Sequence, residues 1–149
     1  MGFKFGLQAV LKHRTRMEEV AQREFFEAQR AVDEILKRIE EMYRRMDEVR
    51  EEIHAAQVEG SARKLEEVRS MEEFLINHRR RIDQTRLEAR ELMEVAEEKQ
   101  EALIIAAREK KILVKLRERR LQEYRDWLNR MEAKELDDLT MVRQGWEKR

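Results

Sequence analysis

Three histidines are the side chains of this 149-residue chain best suited to acid–base or metal chemistry. His13, His54 and His78 lie far apart in the sequence, and no nucleophile motif or phosphate-binding loop accompanies them. Carboxylates are abundant, but on an exposed helix they do not acquire the shifted pKa that acid–base catalysis needs. The chain has no cysteine, which excludes disulfides, thiol catalysis and cysteine metal sites. We therefore expect a non-enzymatic protein without a cofactor or metal.

A basic band in the second half of the chain is the other chemically distinctive feature. Seven positive charges stand there against Glu109 and Glu118: Arg108, Lys110, Lys111, Lys115, Arg117, Arg119 and Arg120. A band of this kind suggests nucleic acid, but no recognition motif accompanies it and an acidic stretch at residues 94–101 lies close by. The 33 basic and 33 acidic residues give a formal net charge of zero, so no global field attracts nucleic acid or anionic lipid. We expect neither as a partner.

A single turn divides the chain into the two helices that carry these residues. Gly60 can take the left-handed conformation that closes a helix, and Ser61 can cap the next helix. No proline occurs, and no other glycine lies between Gly6 and Gly145. The sequence thus predicts one structural unit over residues 1–149, with helix 1 at about 4–58, a turn at 59–61 and helix 2 at about 62–144.

Apolar residues on both sides of the turn follow the heptad spacing of a coiled-coil seam. The first series is Ala21, Phe25, Ala28, Val32, Ile35, Ile39, Met42, Met46, Val49, Ile53 and Ala56. The second is Val68, Met71, Leu75, His78, Ile82, Thr85, Ala89, Leu92, Ala96, Lys99, Leu103 and Ala106. Folding back at Gly60 pairs residues whose numbers add up to 120 or 121, such as Ile39 with Ile82. This symmetry favours an antiparallel intrachain hairpin over a parallel dimer, which the same heptads could also support.

Helix 1 is predicted to run out near Leu113 of helix 2, so that residues 115–142 project alone as a helical overhang. The predicted fold is therefore all-α, a long two-helix antiparallel coiled-coil hairpin with a C-terminal overhang. An unpaired helix cannot bury an apolar stripe on its own chain, so the overhang should need a partner. The stripe consists of Leu116, Leu121, Tyr124, Trp127, Leu128, Met131, Leu136, Leu139 and Val142.

Several residues interrupt the regular pattern. Arg14, Glu18 and Lys99 occupy seam positions, which predicts a polar layer and a loosened end of the hairpin. Phe74 lies one position off the seam, which suits either a groove edge or a docking hot spot. No apolar run approaches the ~18 residues that a membrane span needs, so we expect a cytoplasmic protein without membrane insertion.

Three stretches resemble the flagellar FliJ family over nearly the whole chain. They are the opening Phe3-x-Phe5-x-Leu7-x-x-Val10-Leu11-x-x-Arg14, the basic Arg108-Glu109-Lys110-Lys111 with Leu116 and Glu118-Arg119-Arg120, and the late Glu135-Leu136-Asp137-Asp138-Leu139. The resemblance implies a cytoplasmic component of the flagellar type III export apparatus, peripheral to its membrane-embedded export gate. It also implies an antiparallel coiled coil similar to the central stalk of rotary ATPases, which binds the hexameric export ATPase FliI, promotes its ring and links it to the gate protein FlhA. Export chaperones are further partners that it suggests.

Site residues follow from the resemblance. The ATPase-facing positions would be Leu7, Leu11, Arg14, Arg108, Lys110, Lys111, Leu113, Leu116, Tyr124 and Trp127. The gate-facing positions would be Phe74 and Ile82, in a region where His78 and Arg81 depart from the family's apolar pattern.

Alternatives from other functional classes remain open. The chain could be a cytoplasmic scaffold that self-associates through the overhang, although the hairpin prediction favours a monomer in the absence of partners. The homologous stalk protein of a type III secretion injectisome shares the architecture, and a nucleic-acid-associated coiled coil using the basic band is the third hypothesis.

Overall fold

The turn between the two helices is built as the sequence predicts. The computed structural model describes residues 2–148, except the side chain of Ala62. Helix α1 spans Gln8–Glu59 and helix α2 spans Ala62–Glu147, and the described residues form no strand. Gly60 has a φ of 67°, and the backbone N–H of Lys64 donates to Ser61 Oγ at 3.3 Å. The left-handed glycine and the serine cap are both confirmed.

Charged side chains surround the start of α2. Lys64 Nζ lies 3.3 Å from Glu67 Oε2 and 3.6 Å from Glu59 Oε2. The hydrogen bond to Glu67, with the negative charges of Glu67 and Glu59, raises the pKa of Lys64 above its ordinary value. The pair with Glu59 joins the two helix ends, but because all three side chains are partly exposed to solvent, the effect on folding is small.

The helix ends differ from the expected ones. Helix α1 begins at Gln8 rather than near residue 4, because residues 2–5 are not helical. Phe5 in this non-helical segment is only 8% exposed, so its side chain is packed although its backbone is irregular. At the other end, α2 continues to Glu147, three residues past the expected end.

Two compact units make up the chain. The turn unit is Val20–Leu103, and the terminal unit combines Met1–Glu19 with Ile104–Arg149. In the turn unit α1 and α2 pack antiparallel, since early residues of α1 contact late residues of α2. The ring Nε2–H of His78 donates to the carbonyl oxygen of Met42 at 2.8 Å, and Lys99 Nζ lies 3.2 Å from Glu24 Oε2.

The seam of the turn unit matches the predicted series. Every helical residue described as buried belongs to one of the two series, and they are Ala21, Val32, Ile35, Met46, Val49, Ala56, Val68, His78, Ile82, Thr85, Ala89 and Ala96. Ile82 is the most deeply buried, at 1% exposed. The antiparallel hairpin is confirmed.

Ion pairs join the helices of the terminal unit. Arg14 NH1 pairs with Glu109 Oε2, and Lys110 Nζ lies 3.6 Å from Glu18 Oε1. By the pairing of residues whose numbers add up to 120 or 121, Arg14 and Glu18 would lie opposite Ala106 and Leu103, but their partners lie further along α2, about one turn for Glu109 and about two turns for Lys110. Their charges are thus compensated in the predicted polar layer. Phe5 is the one residue of this unit's described part that is buried.

Replacing Gly60 by alanine tests the turn. We expect the free energy of unfolding to fall by about 1–2 kcal/mol, because a β-carbon is disfavoured at positive φ. No atom lies within 4 Å of the position that this β-carbon would take, so the loss would come from the backbone. Urea unfolding followed by far-UV circular dichroism measures it.

Gly145→Ala is the matched control. Gly145 lies inside α2, its surroundings are equally open, and its φ is not positive. This change should leave the free energy of unfolding unchanged or raise it by up to about 1 kcal/mol. Equal losses in both variants would contradict the role of the left-handed conformation.

Candidate functional site

The ten residues expected to face an ATPase all belong to the terminal unit. Three are exposed, namely Arg108, Lys111 and Trp127, the last with 49% of its surface open. The others are half-buried: Leu7, Leu11, Arg14, Lys110, Leu113, Leu116 and Tyr124. The fold therefore gathers residues from both ends of the sequence into one region, with a minority of them open to a partner.

An aromatic cluster occupies the end of this region. The ring of Tyr124 has its centroid 5.7 Å from that of Phe3 and 6.1 Å from that of Trp127. One turn earlier on α2, the guanidinium carbon of Arg120 lies 5.7 Å from the ring centroid of Phe5, at cation–π distance. Residues 2–5 thus contact α2 through two phenylalanine side chains.

These contacts correct the expected start of the overhang. Residues 115–142 were expected to project alone, but the non-helical N-terminal segment reaches α2 as far as Tyr124. Leu116, Leu121 and Leu128 are accordingly half-buried, whereas every described residue from Asn129 onward is exposed. The unpaired part of α2 therefore begins about 14 residues later than expected. The physical reason is that a non-helical chain extends further per residue than a helix.

Charge at this site is distributed unevenly. The cations of Arg14 and Lys110 are compensated by Glu109 and Glu18. Arg108 and Lys111 are exposed and make no ion pair within the described residues. These two side chains are the ones best placed to meet an acidic partner.

The two residues expected to face the export gate differ in accessibility. Phe74 is half-buried at the edge of the seam, stacked on His78 at 5.1 Å between ring centroids, with the guanidinium carbon of Arg45 5.8 Å from its centroid. Ile82 is buried in the seam. A partner can touch Phe74 with the hairpin closed, but it cannot touch Ile82.

Neither a metal site nor a catalytic group is visible in the described residues. His13 and His54 are exposed, and His78 is held by the Met42 carbonyl. No group of three or more potential metal-ligating side chains occurs between residues 2 and 148. In the same range, no helix is both long and apolar enough to cross a membrane.

Two contacts were not predicted from the sequence, that of Phe3 with Tyr124 and that of Phe5 with Arg120. A signal was present, because Phe3-Lys4-Phe5-Gly6-Leu7 alternates apolar and other residues, a pattern typical of extended chain. The predicted helix was nevertheless started too early, at about residue 4.

The profile of the FliJ family, described as flagellar FliJ protein, matches residues 3–148. The chain belongs to the FliJ family. Searches of curated proteins and of solved structures found no match. Membership gives this FliJ chain a role connected with flagellar protein export, and it agrees with the two-helix architecture.

Exchanging the charges of Arg14 and Glu109 tests the ion pair of this FliJ family member. Arg14→Glu and Glu109→Arg should each destabilise the terminal unit, and the double variant should recover most of the loss. Because the two side chains are 39% and 44% exposed, the coupling free energy should be about 0.2–1 kcal/mol and should shrink with added salt. Urea unfolding of the four proteins gives this value.

The same double-mutant cycle at Arg119 and Glu123 is the control. Arg119 Nε and Glu123 Oε1 lie 3.9 Å apart on one exposed face of α2, so their coupling links no second helix. A coupling free energy at Arg14 and Glu109 no larger than at this pair would show that the contact between helices is not stabilising.

Proposed function

We propose that this chain is a non-enzymatic, cytoplasmic component of flagellar export that binds the export ATPase as a central-stalk-like coiled coil. In this role it promotes assembly of the ATPase ring and couples it to the export gate protein. Family membership supports the export role. The observation that carries ATPase binding is the gathering of all ten expected contact residues in the terminal unit.

The arrangement of the exposed contact residues suits a partner that encloses the helices. Lys111 and Trp127 are sixteen residues apart on α2, which separates them by about 160° around the helix axis. A partner touching one face would reach only one of them. A ring surrounding the coiled coil would reach both.

Trp127 is the best candidate for an energetic anchor. It is half-exposed, and Tyr124 stacks against it, so part of the cost of ordering its side chain is already met in the free protein. Tryptophans placed in this way dominate many interfaces. Arg108 and Lys111, in contrast, should act mainly on the rate of association.

Trp127→Ala should weaken binding to a flagellar export ATPase by about 2 kcal/mol, or roughly thirtyfold in Kd. The measurement is a titration of the chain into the ATPase, following binding by fluorescence anisotropy and, separately, the rate of ATP hydrolysis. The wild-type chain should increase that rate, because the proposed role is to promote assembly of the ATPase ring.

Trp146→Ala is the matched control, because Trp146 is the other tryptophan and is 80% exposed near the end of α2, outside the expected contact set. It should bind like the wild type. Equal losses of affinity in the two variants would show that any exposed tryptophan contributes. Binding by Trp127→Ala as tight as that of the wild type would contradict the role of Trp127 as an anchor.

For the gate we propose a surface centred on Phe74. Arg45 and His78 hold its ring at the groove edge, so a partner can cover the exposed part of the ring without opening the seam. Ile82 would not contact the partner itself; as a buried seam residue it would stabilise the helix pairing on which this surface depends. Arg81, which is exposed and lies seven residues after Phe74 on the same face of α2, favours an acidic partner.

Phe74→Ala should weaken binding to the cytoplasmic part of the export gate protein at least tenfold while leaving ATPase binding unchanged. Phe26→Ala, at a phenylalanine that is exposed elsewhere in the turn unit, should affect neither. Calorimetric titration distinguishes these results. Loss of ATPase binding in Phe74→Ala would contradict the separation of the two surfaces.

A self-associating scaffold is the second candidate, and one observation favours it. The described residues of α2 beyond Asn129 include several exposed apolar side chains, namely Met131, Leu136, Leu139, Met141, Val142 and Trp146. A molecular mass that rises with concentration in light scattering, together with no ATPase binding, would favour the self-associating scaffold over the ATPase-binding stalk.

A further inference from the structure

The N-terminal strap, residues 3–7, contacts α2 in a mode different from the rest of the chain. Helix α1 pairs with α2 as helix on helix, but the strap precedes the first residue of α1. Phe3 lies against Tyr124 and Phe5 against Arg120. A spacing of two residues along the strap therefore matches a spacing of four residues along α2.

This correspondence has a simple geometric basis. Two residues of extended chain advance about 6.6 Å, and four residues of α-helix advance about 6.0 Å. Alternate side chains of an extended segment therefore match positions one turn apart on a helix. The register ends at Phe5, because Gly6 and Leu7 form the turn into α1.

Phe3 and Phe5 contact α2 through their side chains. The backbone N–H of Gln8 donates to the carbonyl oxygen of Phe5 at 3.1 Å, which forms the turn into α1. Within the described residues, no backbone hydrogen bond joins residues 2–6 to α2. The two contacts are made by alternate side chains of the strap, so a segment from another molecule with the same side chains can make the same two contacts.

We propose that the α2 face carrying Arg120 and Tyr124 is a docking site for an extended segment with aromatic or large aliphatic side chains at alternate positions. The strap fills this site in the free chain, and a segment of the same chemistry from a partner protein displaces it. This goes beyond the proposed ATPase binding, because it defines the type of segment that the site accepts. Lifting the strap would also free residues 2–7 to contact that partner.

The strap is covalently attached close to its site on α2, so it competes strongly with a segment from a separate molecule for that site. A short linker gives the strap an effective concentration in the millimolar range at its own site. A separate segment therefore binds weakly to the wild-type chain and much more tightly when the strap is disabled. This difference is measurable without knowing the natural partner.

The probe is a fluorescein-labelled peptide with the sequence of residues 2–7, Gly-Phe-Lys-Phe-Gly-Leu. Fluorescence anisotropy follows its binding to the full-length chain carrying Phe3→Ser and Phe5→Ser, and to the wild-type chain. We expect binding to the double variant that is at least about tenfold tighter than to wild type. The emission of Trp127, which stacks on Tyr124, should shift when the peptide binds.

Three matched controls sharpen the test. A peptide of the same composition with its two phenylalanines adjacent should not bind, because the alternate spacing is lost. Adding Arg120→Ala and Tyr124→Ala to the double variant should abolish peptide binding. Phe26→Ser, which removes an exposed phenylalanine from the turn unit, should leave the weak binding of wild type unchanged.

Absence of peptide binding to the strap variant would overturn the proposal, and so would equal binding of the rearranged peptide. Far-UV circular dichroism checks that the double variant keeps its helices. If it does not, Phe3→Ser alone, which retains the buried Phe5 anchor, serves in its place with an expected intermediate affinity. Because the assay contains no ATPase, its outcome is separate from that of the proposed function.

Discussion

The left-handed turn at Gly60 is the constraint on which the remaining contacts depend. A heptad stripe specifies only that a helix needs an apolar partner, and the same stripe could pair with a second copy. The turn removes this freedom, because it places α2 antiparallel to α1 on the same chain with one register. The hydrogen bond between His78 and the Met42 carbonyl, two seam positions whose numbers add up to 120, shows that register in the turn unit.

Polar groups then distinguish the two units. The seam of the turn unit is almost wholly apolar, and its buried polar side chains, His78 and Thr85, are hydrogen-bonded to carbonyl oxygens of Met42 and Arg81. In the described part of the terminal unit only Phe5 is buried, and partly exposed ion pairs join the helices. Exposed ion pairs contribute little, so this unit should open locally at lower free energy. Partner-binding regions are often drawn from such less stable parts of a protein.

Family membership and geometry together give this hairpin a coherent part in flagellar export. The proposed role depends on what the surfaces of the two helices contact. The proposed ATPase surface lies on the terminal unit, and the proposed gate surface lies around Phe74 in the turn unit. The strap adds that part of the first surface is already occupied in the free chain, so that binding there would exchange one apolar segment for another.

Local chemistry explains what the sequence determined by itself. Gly60 and Ser61 identify the turn, and heptad spacing identifies the seam residues, because both signals lie within a few residues of where they act. The overall antiparallel pairing followed from matching the two series. The strap contacts, the ion partners of Arg14 and Glu18, and the true start of the unpaired α2 were decided only in the tertiary structure. Matching residue numbers assumes an equal rise of about 1.5 Å on both helices. That assumption fails for residues 3–5, because a non-helical segment advances about twice as far per residue. Long charged side chains also reach partners one to two turns from their own level.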